Sequence, residues 1–248
     1  MTSPEIKVVA DLNALVEEAA DRIASAARSA ISDHDAFSVA LSGGSTPEPV
    51  YRRLTEEPYR SAIDWAKVRV YFGDERCVSP DSDQSNYRMA RGAMLSRVPI
   101  PEQNVFRIRG EIDPNQAAIE YGKLLKEHFG DGGLDLVLLG MGDDGHTASL
   151  FPGTEALNET RHRCVANWVA KLNTWRITMS APFINKTDGV MFLVSGAGKA
   201  QRVAEVLKGP REPHRLPSQM IHPVNGKLTW LLDSAAAGMG GGGRDGIK

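Results

Sequence analysis

The chain has 248 residues, 42% of them hydrophobic and 24% charged, with a formal net charge of −2, a balance that supports a globular domain with a full core and argues against a disordered chain. The near-neutral charge gives no electrostatic footprint for nucleic acid or an anionic membrane, and no apolar run approaches the roughly 20 residues that span a bilayer. Two distant cysteines, Cys77 and Cys164, outside any C-x-x-C pattern, and an N-terminus without a basic segment leading into an apolar one, predict a cytoplasmic protein with neither structural zinc nor a secretion signal.

Leu12, Leu15, Val16, Ala19 and Ile23 recur at helical spacing and predict an amphipathic helix over 11–30. Residues 37–41 read as a strand, followed by a Gly-rich turn and a helix to about Leu54. A second strand at 68–72 leads into a polar loop and a helix through Met94, with a short strand at 105–108 and a helix over 116–129. The aliphatic run 134–139 is a buried strand, and further strands are expected at 163–168, 175–180 and 189–195. A helix over 198–208 and a last strand at 227–232 complete the pattern. Strands alternating with helices specify an α/β protein with a doubly wound, mostly parallel, Rossmann-like sheet flanked by helices. The expected organisation is one domain over 1–234, followed by a Gly-rich, disordered tail at 235–248.

In such sheets the ligand occupies the crevice at the carboxyl ends of the strands. Four loops leaving those ends, 42–46, 73–76, 140–146 and 195–199, are rich in glycine and polar groups, which points to one shared site. In the first, Ser42, Gly43, Gly44, Ser45 and Thr46 supply hydroxyls and a tight turn, with Thr46 as N-cap and Pro47 in the first helical turn. Free amides and the helix dipole there suit a phosphate monoester, and the missing Gly-Lys-Ser/Thr ending excludes a nucleotide P-loop. In the second, Arg76 is a candidate for an anionic ligand group or a reaction oxyanion, and Asp74 for sugar hydroxyls or for orienting Arg76.

The third loop, Gly140-Met141-Gly142-Asp143-Asp144-Gly145-His146, formally satisfies the dinucleotide fingerprint G-x-G-x-x-G. Its two carboxylates would repel phosphate and Pro152 stops any long helix, so the match is a decoy. His146, set in a polar Gly-rich turn as no other histidine of the chain is, is instead the candidate general base, with Asp144 as its candidate orienting carboxylate. Without a second His or Cys at ligand spacing, no metal is expected. In the fourth loop Lys199, at a helix start, is placed to add charge to a phosphate, and Arg176 on its strand requires an anionic partner if it faces inward. Lys171 and Asn173 precede that strand, and spacing leaves their roles open.

Taken together, LSGGSTP, YFGDERCV with Ser85-Asn86-Tyr87, LGMGDDGHTASLFPG, RITMSAPFIN, FLVSGAGKA and LTWLLD resemble the 6-phosphogluconolactonases, members of the glucosamine-6-phosphate deaminase-like group, over residues 37–233. The resemblance implies hydrolysis of 6-phospho-D-glucono-1,5-lactone in the pentose phosphate pathway, with no cofactor, by a single α/β domain. It makes His146 the general base, gives the phosphate to Ser42–Thr46, Arg176 and Lys199, and lines the sugar pocket with Asp74 and Arg76; Gly142 is a further candidate substrate-binding residue. One departure is that Lys171-Leu172-Asn173-Thr174 lacks the proline-rich stretch often found before RIT. The small sugar-phosphate lactone is the expected partner of a monomeric enzyme. An aminosugar-phosphate deaminase/isomerase is the nearest alternative, but relatives with that activity carry an Asn-Glu pair after the loop histidine where this chain has Thr147-Ala148-Ser149 and no acid before Glu155. A non-catalytic sugar-phosphate sensor would have no use for the histidine.

Overall fold

The computed structural model describes residues 3–239. β1 (Glu5–Val9) is followed by α1 (Leu12–His34), β2 (Phe37–Leu41), α2 (Pro47–Leu54), α3 (Tyr59–Ala62), β3 (Val68–Phe72), β4 (Asp74–Arg76), α4 (Asn86–Ala90) and α5 (Pro114–Phe129). The second half contains β5 (Leu136–Leu139), β6 (Cys164–Val169), β7 (Thr174–Met179), α6 (Ala181–Ile184), β8 (Gly189–Val194), α7 (Ala200–Lys208) and β9 (Lys227–Asp233). The Asp11 carboxylate accepts from Ala14 N at 2.9 Å to start α1, which buries Leu15, Ala19, Ile23 and Ala27 on one face and ends where Asp35 turns left-handed. β2 and β5 are buried along their whole length, as strands covered by helices on both faces must be.

Six strands form one parallel sheet in the order β1-β9-β8-β5-β2-β3. From β2 the chain winds outward to β3, and β5, β8 and β9 then add on the opposite side of β2. The order therefore reverses between β2 and β5, and the loops leaving those two strands part there to leave a crevice.

A second sheet, β4-β7-β6, is antiparallel and was not anticipated from the sequence. Residues 73–76, expected as a loop, instead carry the chain from one sheet to the other. Gly73 N–H donates to Leu41 O at 3.0 Å, and its carbonyl accepts from Met179 N at 2.8 Å. β6 and β7 form a hairpin whose tip, Ala170–Leu172, closes with Asn173 in the left-handed region at φ 48°.

Several boundaries differ from expectation for physical reasons. The 105–108 segment is no strand; it makes a single bridge, Val70 to Val105, because the chain turns away after Phe106 N donates to Val70 O. The helix expected through Met94 is α4 followed by a π-helical turn, Arg91–Leu95. Thr46 occupies the N-cap position of α2 with helical backbone angles and no capping hydrogen bond, so its side chain does not cap the helix as expected. One hydrophobic cluster runs from Leu15 to Ala236. Residues 235–239 of the expected tail form turns that bury Ala236, and 240–248 lie outside the described residues.

Candidate active site

The four loops predicted to converge meet in a cleft of about 400 Å³ between the two sheets. The first wall is the turn after β2. Gly43, Gly44, Ser45 and Thr46 line it, and Gly44 has φ +109°, a conformation that favours glycine. Ser42 does not line the cleft: its hydroxyl donates to Gly43 O at 3.2 Å, and the buried Tyr51 hydroxyl accepts from Ser42 N and donates to Ser42 O. A Cβ at Gly43 would overlap the Asn86 amide, so glycine here is the condition for the turn to approach α4.

Asn86 ties the second wall together. Its Oδ1 accepts from Arg76 Nη1, and its Nδ2 donates to Asp74 O at 2.9 Å and to Asp74 Oδ1 at 3.1 Å. Asp74 is buried, and its other oxygen accepts from Ser149 Oγ at 2.6 Å. Neighbouring Glu75 points the other way. Its carboxylate accepts from the backbone N–H groups of Arg76, Asn86 and Tyr87 and from Ser85 Oγ, at 2.8 to 3.1 Å. Burial pushes its carboxyl group up, and those N–H donors partly offset the rise.

Arg176 stands directly opposite Arg76 in the β4–β7 register, and both line the cleft. Among the described residues Arg176 has no carboxylate within ion-pair distance; its Nη1 reaches only Thr174 Oγ1 and Trp175 O. Burial lowers its guanidinium below the ordinary arginine value, and the facing charge of Arg76 adds to that. Two opposed guanidinium groups in a partly dry cleft are suited to receiving an anion. Lys199, just before α7, adds a third cation from the far wall and is paired with the exposed Asp143.

The turn after β5 holds His146, the candidate base. Gly145, at φ +84°, lets the chain double back so that Gly142 N donates to His146 O at 2.9 Å. His146 Nδ1 lies 2.5 Å from Asp144 Oδ1, whose second oxygen accepts from Lys171 Nζ at 3.1 Å. Burial would raise the Asp144 carboxyl, but the hydrogen bond and charge of His146 outweigh it and hold the group well below the usual carboxylate range. An ionised Asp144 accepts from Nδ1–H, the tautomer that leaves Nε2 with a lone pair. The ring lies between Gly142, where a Cβ would overlap it, and Phe151, which stacks on it at 4.0 Å.

The sequence did not disclose Phe151, Ser149 or the Lys171 contact. Ser149 carried the only readable signal, a small polar residue between Ala148 and an apolar Leu-Phe pair. In the fourth loop Asp233 accepts from Ser195 Oγ at 2.8 Å and Gly196 N at 3.0 Å, which fixes the approach to Lys199.

The arrangement offers an oriented base beside three cations, suited to water attack on an anionic, phosphorylated substrate. Residues 10–230 match the family model described as glucosamine-6-phosphate isomerases/6-phosphogluconolactonase. A 6-phosphogluconolactonase of Nostoc sp. is 41% identical over 237 residues, covering 93% of this chain and 96% of its own. One of Synechocystis sp. is 40% identical over 241 residues, covering 94% of this chain and 97% of its own. The solved 6-phosphogluconolactonase of Trypanosoma brucei superposes with a TM-score of 0.85 at 30% identity, covering 97% of this chain and 100% of its own.

Proposed function

This chain belongs to the glucosamine-6-phosphate isomerase/6-phosphogluconolactonase family, and we propose that its cleft opens a sugar-phosphate lactone with water deprotonated by His146. The activity is hydrolysis of 6-phospho-D-glucono-1,5-lactone to 6-phospho-D-gluconate, the lactone-opening step of the pentose phosphate pathway.

A lactone is already an activated ester, so a positioned base is sufficient to drive its hydrolysis. His146 Nε2 takes a proton from water as the oxygen attacks C1, and Asp144 stabilises the resulting imidazolium. The tetrahedral oxyanion is met by Arg76 or by loop amides. On collapse the bond from C1 to the ring oxygen breaks, and the imidazolium returns its proton to that oxygen. Arg176, Lys199 and the Gly43–Thr46 turn take the phosphate, and Asp74 takes sugar hydroxyls. We place this reaction in the cytoplasm, in a monomer with no metal or other cofactor.

The observation that carries the reading is the His146–Asp144 pair at 2.5 Å facing a cleft lined by Arg76, Arg176 and Lys199. The test is hydrolysis of freshly made 6-phosphogluconolactone in excess chelator, corrected for spontaneous opening, with wild type and His146→Ala side by side. Fast wild-type turnover that is lost in the variant is the expected result. Near wild-type turnover in the variant would discard the base.

A further inference from the structure

Asn167 lies on β6 opposite Arg176, outside the cleft lining and 1% exposed. Its Nδ2 donates at 2.9 Å to Ser149 O and at 2.9 Å to Thr154 Oγ1, and Thr154 Oγ1 in turn donates to Phe151 O at 2.8 Å. One amide group thus grips both sides of the Ser149–Phe151 span. That span carries the ring stacked on His146, and its Ser149 hydroxyl is bound to Asp74. The same amide leaves Oδ1 buried with no partner among the described residues. An apolar side chain would avoid that cost, so the gain from Asn167 lies in its two donated hydrogen bonds.

We propose that Asn167 is a positioning residue for hydrolysis: through Ser149 and Thr154 it sets where Phe151 presses on the His146 imidazole, and so where Nε2 points into the cleft. The inference rests on His146 being the base. Displacement of a reacting group by about 1 Å is enough to cost up to a hundredfold in rate, and nothing else on β6 bonds to this span through two hydrogen bonds.

The experiment compares Asn167→Ala, Thr154→Val, the double variant and His146→Ala for lactone hydrolysis, with thermal midpoints and the NMR resonances of the His146 imidazole protons. Asn167→Ala is expected to lower kcat about tenfold with KM within about twofold, and to shift those resonances as the Phe151 ring moves. Thr154→Val should lower kcat less, and the double variant should be no slower than Asn167→Ala, because both act through one chain of contacts. Wild-type kcat and unmoved resonances with only a lower midpoint would overturn the proposal, as would a loss carried wholly by KM. If Asn167→Ala does not fold, Thr154→Val decides alone, and an unchanged kcat there overturns it. Retained turnover in His146→Ala sinks the base assignment. An inactive His146→Ala beside fully active Asn167→Ala and Thr154→Val sinks only the role of Asn167.

Discussion

Arg76 and Arg176 face each other across the β4–β7 register, two like charges at directly opposed positions of an antiparallel pair. Like charges so placed destabilise a sheet, and among the described residues no carboxylate pairs with Arg176. The phosphate of the proposed substrate would supply the partner these two charges lack.

Replacing Arg176 should therefore separate binding from stability. Arg176→Gln is expected to raise KM for the phosphorylated lactone about 10- to 100-fold, the scale of a lost charged hydrogen bond, with a smaller change in kcat. The free variant should melt no lower than wild type, and millimolar inorganic phosphate should raise the wild-type midpoint more than that of the variant. Steady-state kinetics and thermal melts check both halves, and an unchanged KM would remove Arg176 from the phosphate site.

His146→Ala should reduce kcat about a hundredfold or more, the usual contribution of a general base. Asp144→Asn should act in the same direction, since an amide no longer fixes the tautomer or stabilises the imidazolium. Neither change should release ammonia from glucosamine 6-phosphate, and that assay on the wild-type protein separates lactone opening from aminosugar deamination.

The acid side of the stability curve should carry a contribution from Asp144. Its carboxyl is held below its unfolded value, so the native state binds its proton less readily than the unfolded state does. The stabilisation is complete above the unfolded value near pH 4 and is lost as pH falls further toward the native value. Denaturant unfolding of wild type and Asp144→Asn from pH 7 to pH 2.5 should show a stability gap that narrows below about pH 4. A gap independent of pH would contradict the His146–Asp144 pairing.

Gly142→Ala should cost activity more than stability. The added methyl falls on the His146 ring, which must swing away from Asp144 or from Phe151. A drop in kcat of about tenfold or more is expected from such a displacement, measured beside a circular-dichroism spectrum that should not change. Wild-type kcat would show that the ring has room the geometry denies it.

Glu75→Gln tests the frame beneath the cations. Both Glu75 oxygens accept, and an amide nitrogen in place of either one would face an N–H donor. A loss of about 1–3 kcal/mol is expected from urea unfolding, the scale of a buried group left unsatisfied.

β2 and β3 were legible to the residue because aliphatic and aromatic residues dominate both, β2 being buried throughout and β3 at every position but Arg69. β1 was not, since Glu5-Ile6-Lys7 lies at a sheet edge and keeps its charges in solvent. β4 was hidden for a related reason: Asp-Glu-Arg reads as loop, and only pairing with β7, a hundred residues onward, makes it a strand. The same blindness explains the site. Residue types near glycine pointed to His146, Asp144 and Arg76, which share one cleft, whereas Asn86, Ser149 and Phe151 are placed there through partners distant in the fold or through ring contact, which spacing does not encode. Ser42 lies outside the cleft lining although Thr46 is in it, a distinction hidden because a hydroxyl in a turn looks the same in sequence whether it faces a ligand or its own backbone.

Gly73 is the shortest of the covalent joints between the two sheets, bonded to Leu41 on one side and Met179 on the other. A joint this short, fastened on both sides, ties β4 and β7 to the ends of β2 and β3. The wall that carries Arg76 and Arg176 is thus fastened to the strand that leads into the Gly43–Thr46 turn, an arrangement that favours a preassembled cleft. For a reactant that decays in water by itself, an always-assembled cleft has a kinetic advantage, since no closing step stands between collision and chemistry.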